Sequence, residues 1–308
     1  MLTTSGLQLG IGLPQVFPGG MVDTDLIRRF ALRAEALGYE DLWLTDNVLG
    51  GNGTLEPVTL LTYVAGFTRR IRLGVSVLIL NQRNPVQLAK ALASLDQLSG
   101  GRLTVGVGLG GGTALYPAFG ISAERPVARF IEGLRLMRAL WNEERVTLRG
   151  DFWRLEDAAM TPKPLQQPLP VWLGGHAPAA LRRAVRLGDG WMGAGGSRIE
   201  DFFREIAQVR QYLTEAGRDP SSFTLSKRVY IAVDADAERA RERLAAGLLQ
   251  QYGSSRMAAS AGVAGTPRQC VESLRAMRDA GLQHLLLHPF ADAVQQLELL
   301  SREIAPEL

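Results

Sequence analysis

The sequence is poor in cysteine and has no long hydrophobic run. Its one cysteine, Cys270, cannot form an intramolecular disulfide, so the chain does not require an oxidising compartment, and the apolar helical face around it predicts a buried thiol. The strongest apolar run, 75–80, is too short to cross a bilayer, and residues 1–6 lack the charged and apolar segments of a secretion signal. These absences predict a soluble, cytoplasmic protein without a membrane partner.

An excess of one charge is also missing. The chain has 34 basic and 31 acidic residues, which are interleaved along the predicted helices and leave a net charge of +3. A nucleic-acid surface would need a one-sided basic stripe, which we do not find. The three histidines, His176, His284 and His288, lack ligand spacing to Cys, Asp or Glu, so we expect no metal site. The GxSxG motif of the serine hydrolases is absent as well.

What the sequence does contain is a regular alternation of short apolar runs with helical patterns. This alternation predicts parallel βα units, and 308 residues suffice for one barrel with insertions. We predict eight strands, at 7–13, 41–45, 71–78, 102–107, 171–173, 190–193, 223–233 and 284–287. Eight parallel strands are what a closed (β/α)8 TIM barrel needs.

Two stretches interrupt the repeat. The segment 147–170 is rich in proline and predicts a small hairpin beside the barrel, and 237–263 is helical before it loosens into a wall or lid at the mouth. We interpret 1–308 as a single domain that carries these two insertions. Because loops after barrel strands converge on one face, polar residues and glycines at strand ends are the candidates for a site.

Asp46 and Asn47 follow the second strand and form the candidate catalytic pair. Asp46 can accept a hydrogen bond from a ligand ring nitrogen, or it can cap the loop that follows, and the sequence leaves both open. His284, at the start of the last strand, is interpreted as a structural residue of the barrel floor. His288, at the upper end of that strand, could reach the site, although a core histidine with satisfied hydrogen bonds is the favoured interpretation.

Glycines follow the fourth and fifth strands. The segment GVGLGGG contains a formal dinucleotide fingerprint, but no helix opens directly after it, so we expect Gly108, Gly110 and Gly111 to let a flat ligand approach the backbone. In PVWLGGHAPAALRRA a strand, two glycines and a helix follow one another. Unpaired amides at that helix start would favour phosphate; an ordinary glycine-rich turn is the alternative. The phosphate candidates are the run Gly174, Gly175, His176 and Ala177.

Taken together, these segments resemble the bacterial luciferase-like family, in particular its branch that uses the deazaflavin coenzyme F420. The resemblance runs along nearly the whole chain. It is carried by GYEDLWLTD, by IRLGVSVLILNQRNPVQLAKALASLDQLSGGRLTVGVGLG, by PVWLGG with DGW after it, and by AGTPRQCVESLRAMRDAG. Each piece alone is unspecific, but the combination is specific for the family.

The resemblance implies a ring system at the carboxyl ends of the strands, with a strand-three bulge behind it that contains a cis peptide. Ser76 and Val77 match that bulge, Asp46 matches the residue facing the ring, and 174–177 match the phosphate loop. We therefore expect Asp46 and the Ser76–Val77 bulge on opposite sides of one cavity. The resemblance also implies a homodimer and a small-molecule substrate.

Two departures bear on the chemistry. The family commonly has Asp-His where this chain has Asp46-Asn47, and the sugar-phosphate dehydrogenases of the deazaflavin branch have a glutamate where this chain has Gly111. Asparagine and glycine supply no proton-transfer group. The first hypothesis is F420-dependent hydride transfer. The alternatives are an FMN-dependent monooxygenase supplied by a flavin reductase, and a flavin-binding barrel without turnover.

Overall fold

Eight parallel strands close into a barrel in the computed structural model, which describes residues 6–256, 258–290 and 292–308. The strands of the ring are Gln8–Gly12 (β1), Asp41–Leu44 (β2), Arg72–Val75 (β3) continued by Leu78–Ile79 (β4), Leu103–Gly108 (β5), Val171–Gly174 (β8), Gly190–Gly193 (β9), Thr224–Val233 (β10) and His284–Pro289 (β12). Pairing runs β12-β1-β2-β3-β5-β8-β9, and β10 joins β9 to β12 to complete the ring. All eight predicted strands form, so the predicted TIM barrel is confirmed.

Helices surround the strands as the βα pattern predicts. They are Thr24–Leu37 (α1), Pro57–Ala65 (α2), Pro85–Ser99 (α3), Pro126–Asn142 (α4), Pro178–Leu187 (α5), Ile199–Glu215 (α6), Ala237–Tyr252 (α7), Ala258–Ala261 (α8), Pro267–Asp279 (α9) and Ala293–Leu299 (α10). Local sequence fixes their ends: Gly38 ends α1 with φ of 89°, and Thr266 and Gln269 form the capping box of α9. Within the described ranges, every helix is too short or too polar to cross a lipid bilayer.

The two interruptions of the repeat have different structures. Val146–Arg149 (β6) and Arg154–Ala158 (β7) form an antiparallel hairpin apart from the barrel sheet, as predicted. The second interruption contains α7, α8 and the strand Gly262–Gly265 (β11), which adds to the upper part of β10 and which the sequence did not predict. Met257, within that interruption, and residues 1–5, on which the expectation of no secretion signal rests, lie outside the described residues.

A polar cluster lies at the floor of the barrel. The His284 imidazole is fully buried, with Nε2 3.0 Å from the Asp41 carboxylate and Nδ1 2.7 Å from the Ser226 hydroxyl. A buried polar group with partners on both sides costs little and fixes the surrounding packing. The structure therefore confirms His284 as a structural residue. Cys270 is buried as predicted, and burial raises the pKa of its thiol to about 12.

Replacing Asp41 tests this cluster. Asp41→Ala removes the partner of a buried imidazole nitrogen, so we expect the free energy of unfolding to fall by about 2 kcal/mol in a urea titration. The exposed Asp279→Ala serves as the control, with an expected change below about 0.5 kcal/mol. Equal effects of the two substitutions would show that the floor cluster does not stabilise the barrel.

Candidate active site at the barrel mouth

The mouth of the barrel is shaped by an irregularity in its third strand. Between β3 and β4 the Ser76–Val77 peptide is cis, as the resemblance implied. The Val77 side chain turns into the barrel and packs on the interior cluster of Trp43, Trp172, Met192 and Leu286. Val77 thus forms a ledge above the barrel core, at the level where the strands end.

The glycines that face this ledge make room for Val77. A Cβ on Gly108 would lie 2.7 Å from a Val77 methyl group, and one on Gly174 would lie 3.0 Å from the other. The space on the Cβ side of Gly108 is therefore filled by Val77, and the approach of a ligand ring to the backbone at Gly108 stays a prediction. Gly111 differs, since nothing lies within 4 Å of a Cβ placed there. Gly110 has φ of 78° and packs against Ile79.

Asp46 anchors the ledge from the neighbouring strand. Its carboxylate accepts hydrogen bonds from the Ile79 amide at 2.8 Å and from Arg83 Nη2 at 2.5 Å, and its side chain has no exposed surface. Burial raises the pKa of this carboxyl, and Arg83 and the Ile79 amide offset part of that rise. The carboxylate thus anchors β4 and Arg83, which follow the neighbouring strand, rather than capping the loop that follows β2.

The expected arrangement of Asp46 and the bulge is wrong. Asp46 does not face Ser76 and Val77 across a cavity, because its carboxylate bonds Ile79, only two residues beyond Val77. The physical reason is that β2 and β3 are adjacent, so the two strand ends pack side by side. Contact between Asp46 and a cofactor ring stays a prediction.

Asn47 lies at the rim, half-buried, next to Asp46. Its Nδ2 donates to Asn52 Oδ1 at 3.3 Å, and Asn52 in turn donates to the carbonyl of Gln251 at 2.8 Å. These amides connect the loop after β2 to the end of α7. Asn47 can thus orient a ligand through its side-chain oxygen, but it cannot transfer a proton near neutral pH.

Arg228 is a site residue that we did not predict from the sequence. It projects from β10 into the mouth, where Nη1 donates to the Ser76 carbonyl at 2.7 Å and Nη2 lies 3.0 Å from the Tyr230 hydroxyl. The Tyr230 hydroxyl bonds that of Tyr252 at 2.7 Å. Strand alternation could have indicated this cluster, because Ser226, Arg228 and Tyr230 occupy every second position of β10.

The loop before α5 presents backbone donors at the mouth. The amides of His176, Ala177 and Ala179 have no hydrogen-bond acceptor among the described residues, and both His176 and Ala177 are exposed. Gly175 has φ of 147°, and its carbonyl accepts from Trp191 Nε1 at 2.8 Å. Unpaired amides at the first turn of a ten-residue helix can bind an anion. Whether 174–177 hold a phosphate stays a prediction.

Hydrogen bonds from a buried lysine fix the neighbouring loop after β9. Lys227, buried on the outer side of β10, donates to the carbonyl of Ala194 and to Ser197 Oγ at 2.8 Å. Burial lowers the pKa of Lys227 to about 8, although the nearby Glu205 partly opposes the shift. This anchor fixes the second glycine-rich loop beside the first.

His288 closes the opposite side of the mouth. Its imidazole is nearly buried between the rings of Tyr230 and Phe290, and no described residue hydrogen-bonds the imidazole nitrogens. Burial, together with the charge of Arg228, lowers its pKa to about 3. The favoured interpretation, a core histidine with satisfied hydrogen bonds, is therefore wrong: His288 is a neutral imidazole with hydrogen-bonding capacity to spare.

The strands form a closed parallel barrel, and the loops after them carry an apolar ledge, unpaired helix amides and buried polar groups. These features define the class of (β/α)8 barrels with a ligand site at the carboxyl-terminal mouth. The sequence pattern of the luciferase-like monooxygenases matches residues 7–284. The chain belongs to this luciferase-like family, as the resemblance indicated.

Named relatives cover nearly the whole chain. An F420-dependent glucose-6-phosphate dehydrogenase from Kineococcus radiotolerans is 29% identical over 100% of this chain and 99% of its own length. The crystal structure of the monooxygenase RslO1 from Streptomyces bottropensis has a TM-score of 0.83 at 25% identity, over 97% of this chain and 99% of that one. An F420-dependent secondary alcohol dehydrogenase, solved with an F420–acetone adduct, shares the fold with a TM-score of 0.84 at 21% identity, over the same shares of both chains.

Proposed function

We propose that this protein is a coenzyme F420-dependent oxidoreductase that transfers a hydride to or from a small organic substrate at the barrel mouth. The observation that carries the proposal is the full-length similarity to an F420-dependent dehydrogenase. The site agrees with it, because the mouth combines an apolar ledge at Val77 with unpaired amides at the start of α5. A flat ring joined to a phosphate needs those two features.

Different residues of the mouth would hold different parts of such a coenzyme. His176, Ala177 and Ala179 would bind its phosphate through their amides, and the ledge at Ser76 and Val77 would support its ring. Asp46 and Arg228 act behind that ledge, where they bond the Ile79 amide and the Ser76 carbonyl. The bound coenzyme supplies the hydride chemistry, and the protein supplies orientation and exclusion of water.

The residues available for proton transfer distinguish this chain from the sugar-phosphate dehydrogenases that it resembles. Asn47 and Gly111 occupy the positions where those enzymes have proton-transfer groups, and neither residue can replace them. We therefore propose a substrate other than a sugar phosphate. The homodimer expected from the resemblance and the cytoplasmic location expected from the composition remain part of this proposal.

Turnover is the test of this function. The protein loaded with F420 is mixed anaerobically with a panel of alcohols, sugar phosphates and carbonyl compounds, and the redox state of the coenzyme is followed by absorbance. We expect reduction or oxidation of the coenzyme with at least one class. A protein that binds F420 tightly but exchanges no electrons with any member would instead be a flavin-binding barrel without turnover.

A further inference from the structure

Arg228 carries a positive charge that has no counter-ion. An arginine side chain stays protonated in proteins, and no aspartate or glutamate within 6–256, 258–290 and 292–308 forms an ion pair with this one. Its two hydrogen-bond acceptors, the Ser76 carbonyl and the Tyr230 hydroxyl, are both neutral. Its Nε is buried and has no hydrogen-bond partner. Neutral dipoles alone therefore stabilise this charge.

Two other cations close to the mouth do have carboxylates near them. Arg83 lies 2.5 Å from the Asp46 carboxylate. Lys227, on the outer side of β10, is close enough to Glu205 for the two charges to attract each other. A missing counter-ion is thus not a general feature of this end of the barrel, and Arg228 is the exception.

The unpaired charge lies across the barrel mouth. Arg228 starts from β10, and its Nη1 reaches the carbonyl of Ser76, directly after β3. Because β10 and β3 are on opposite sides of the eight-strand ring, the side chain spans the mouth at the level of the ledge. The loop after β9 packs against it, since a Cβ on Gly195 would lie 2.6 Å from Arg228 Nε. The charge is therefore beside the place proposed for the coenzyme ring.

The side chains around Arg228 do not provide a negative charge. Burial raises the pKa of Tyr230, so its hydroxyl stays protonated. Burial and the charge of Arg228 lower the pKa of His288 to about 3, so its imidazole is neutral. The Asp46 carboxylate is engaged by Arg83. In the part of the chain that the structure describes, the counter-ion of Arg228 is thus missing, and a ligand can supply it.

The guanidinium determines which anion suits it. Each terminal nitrogen of Arg228 carries a second hydrogen that no described residue accepts. A planar carboxylate can accept from two such N–H groups at once. One cation balances one negative charge, so a phosphate dianion would lose its hydration with half of its charge uncompensated. The site therefore favours a carboxylate over a phosphate.

We propose that Arg228 is an anion site at the barrel mouth and that it binds the carboxylate of the substrate, which is therefore a monocarboxylic acid. The assignment of this ligand as the substrate rests on the proposed function. The carboxylate supplies the missing counter-ion, while Nη1 keeps its hydrogen bond to the Ser76 carbonyl. Arg228 anchors the substrate beside the ledge and transfers no proton.

Benzoate and benzamide test the requirement for charge, because they have the same shape and differ by one negative charge. By isothermal titration calorimetry, we expect the F420-loaded protein to bind benzoate at least about tenfold more tightly than benzamide. Equal affinities for the two compounds would overturn the inference, as would the absence of measurable benzoate binding.

Three variants locate the charge. Arg228→Gln keeps a donor for the Ser76 carbonyl but removes the charge, so the preference for benzoate should disappear. Arg228→Lys keeps the charge and should retain most of the preference. Arg154→Gln removes an exposed charge from the hairpin strand β7 and should have no effect. Retention of the preference in Arg228→Gln, or its loss in Arg228→Lys, would overturn the inference, and the comparison on the parent protein stays decisive if a variant does not fold.

The same titration without F420 separates this inference from the proposed function. We expect the preference for benzoate both in the apoprotein and in the F420-loaded protein. Loss of benzoate binding on loading would assign Arg228 to an anionic group of the coenzyme and would overturn its assignment to the substrate. Failure of F420 to bind, measured by fluorescence quenching, would overturn the proposed function, whereas the apoprotein titration would still test the anion site at Arg228.

Discussion

Gly175→Asp is expected to weaken F420 binding by at least about tenfold, which corresponds to about 1.4 kcal/mol. The substitution places a carboxylate beside the unpaired amides at the start of α5, where it would repel the phosphate of the coenzyme and compete for its donors. Affinity is measured by fluorescence quenching, and folding by circular dichroism.

A matched variant separates charge from strain at this position. Gly175 has φ of 147°, and a Cβ there would lie 2.7 Å from that of Ala180, so any substitution strains the turn. Gly175→Ala carries the same strain without the charge, and its loss of affinity should be clearly smaller. If Gly175→Asp binds F420 like the parent while folded, the phosphate lies elsewhere, and Gly196→Asp in the loop after β9 becomes the informative variant.

Asp46→Ala is expected to lower the free energy of unfolding by about 3 kcal/mol, because it leaves the largely buried guanidinium of Arg83 without its nearest carboxylate and the Ile79 amide without an acceptor. The ledge should loosen with it, so F420 affinity should fall as well. Urea titration and coenzyme titration measure the two effects on the same protein.

Asp46→Asn distinguishes the two contacts of this carboxylate. The amide can still accept from Ile79, but it loses the charge that pairs with Arg83, so its destabilisation should be intermediate. A protein with parental stability but much weaker F420 binding would indicate that Asp46 contacts the coenzyme ring directly. Parental stability and parental binding together would remove the anchoring role.

The fold could be predicted because its determinants are local and repeated. Each barrel strand is a short apolar run before a polar or glycine-rich loop, and caps such as Gly38 and Thr266 mark helix ends within a few residues. β11 was missed because its four residues, Gly262–Gly265, include two glycines and show little of the β-branched pattern.

The site was less predictable because its contacts join distant parts of the chain. Position alone could suggest that Asp46 and the bulge at Ser76 and Val77 border the same mouth, but not that the carboxylate would bond the Ile79 amide. The reason why a position is a glycine is equally hard to predict from the sequence. A sequence cannot tell whether the missing Cβ of Gly108 leaves room for a ligand or for Val77.

His288 shows the same limit for a titratable residue. The apolar context of its strand predicted burial correctly, yet hydrogen-bond satisfaction depends on Tyr230, Phe290 and Gly12, which come from three different segments. Arg228 lies in a strand that was predicted correctly, and counting alternate positions would have placed it in the mouth. Contacts between residues that are distant in the sequence therefore determine which polar residues belong to the site.

The most direct test of the central claim is a parallel titration of the apoprotein with F420 and with FMN under identical conditions. The amides at the start of α5 can bind either phosphate, so the comparison isolates what the rest of the mouth recognises. A dissociation constant for F420 clearly below that for FMN is the predicted result. An FMN constant equal to or below that for F420 would contradict it and would identify the protein as a flavin-dependent member of the family.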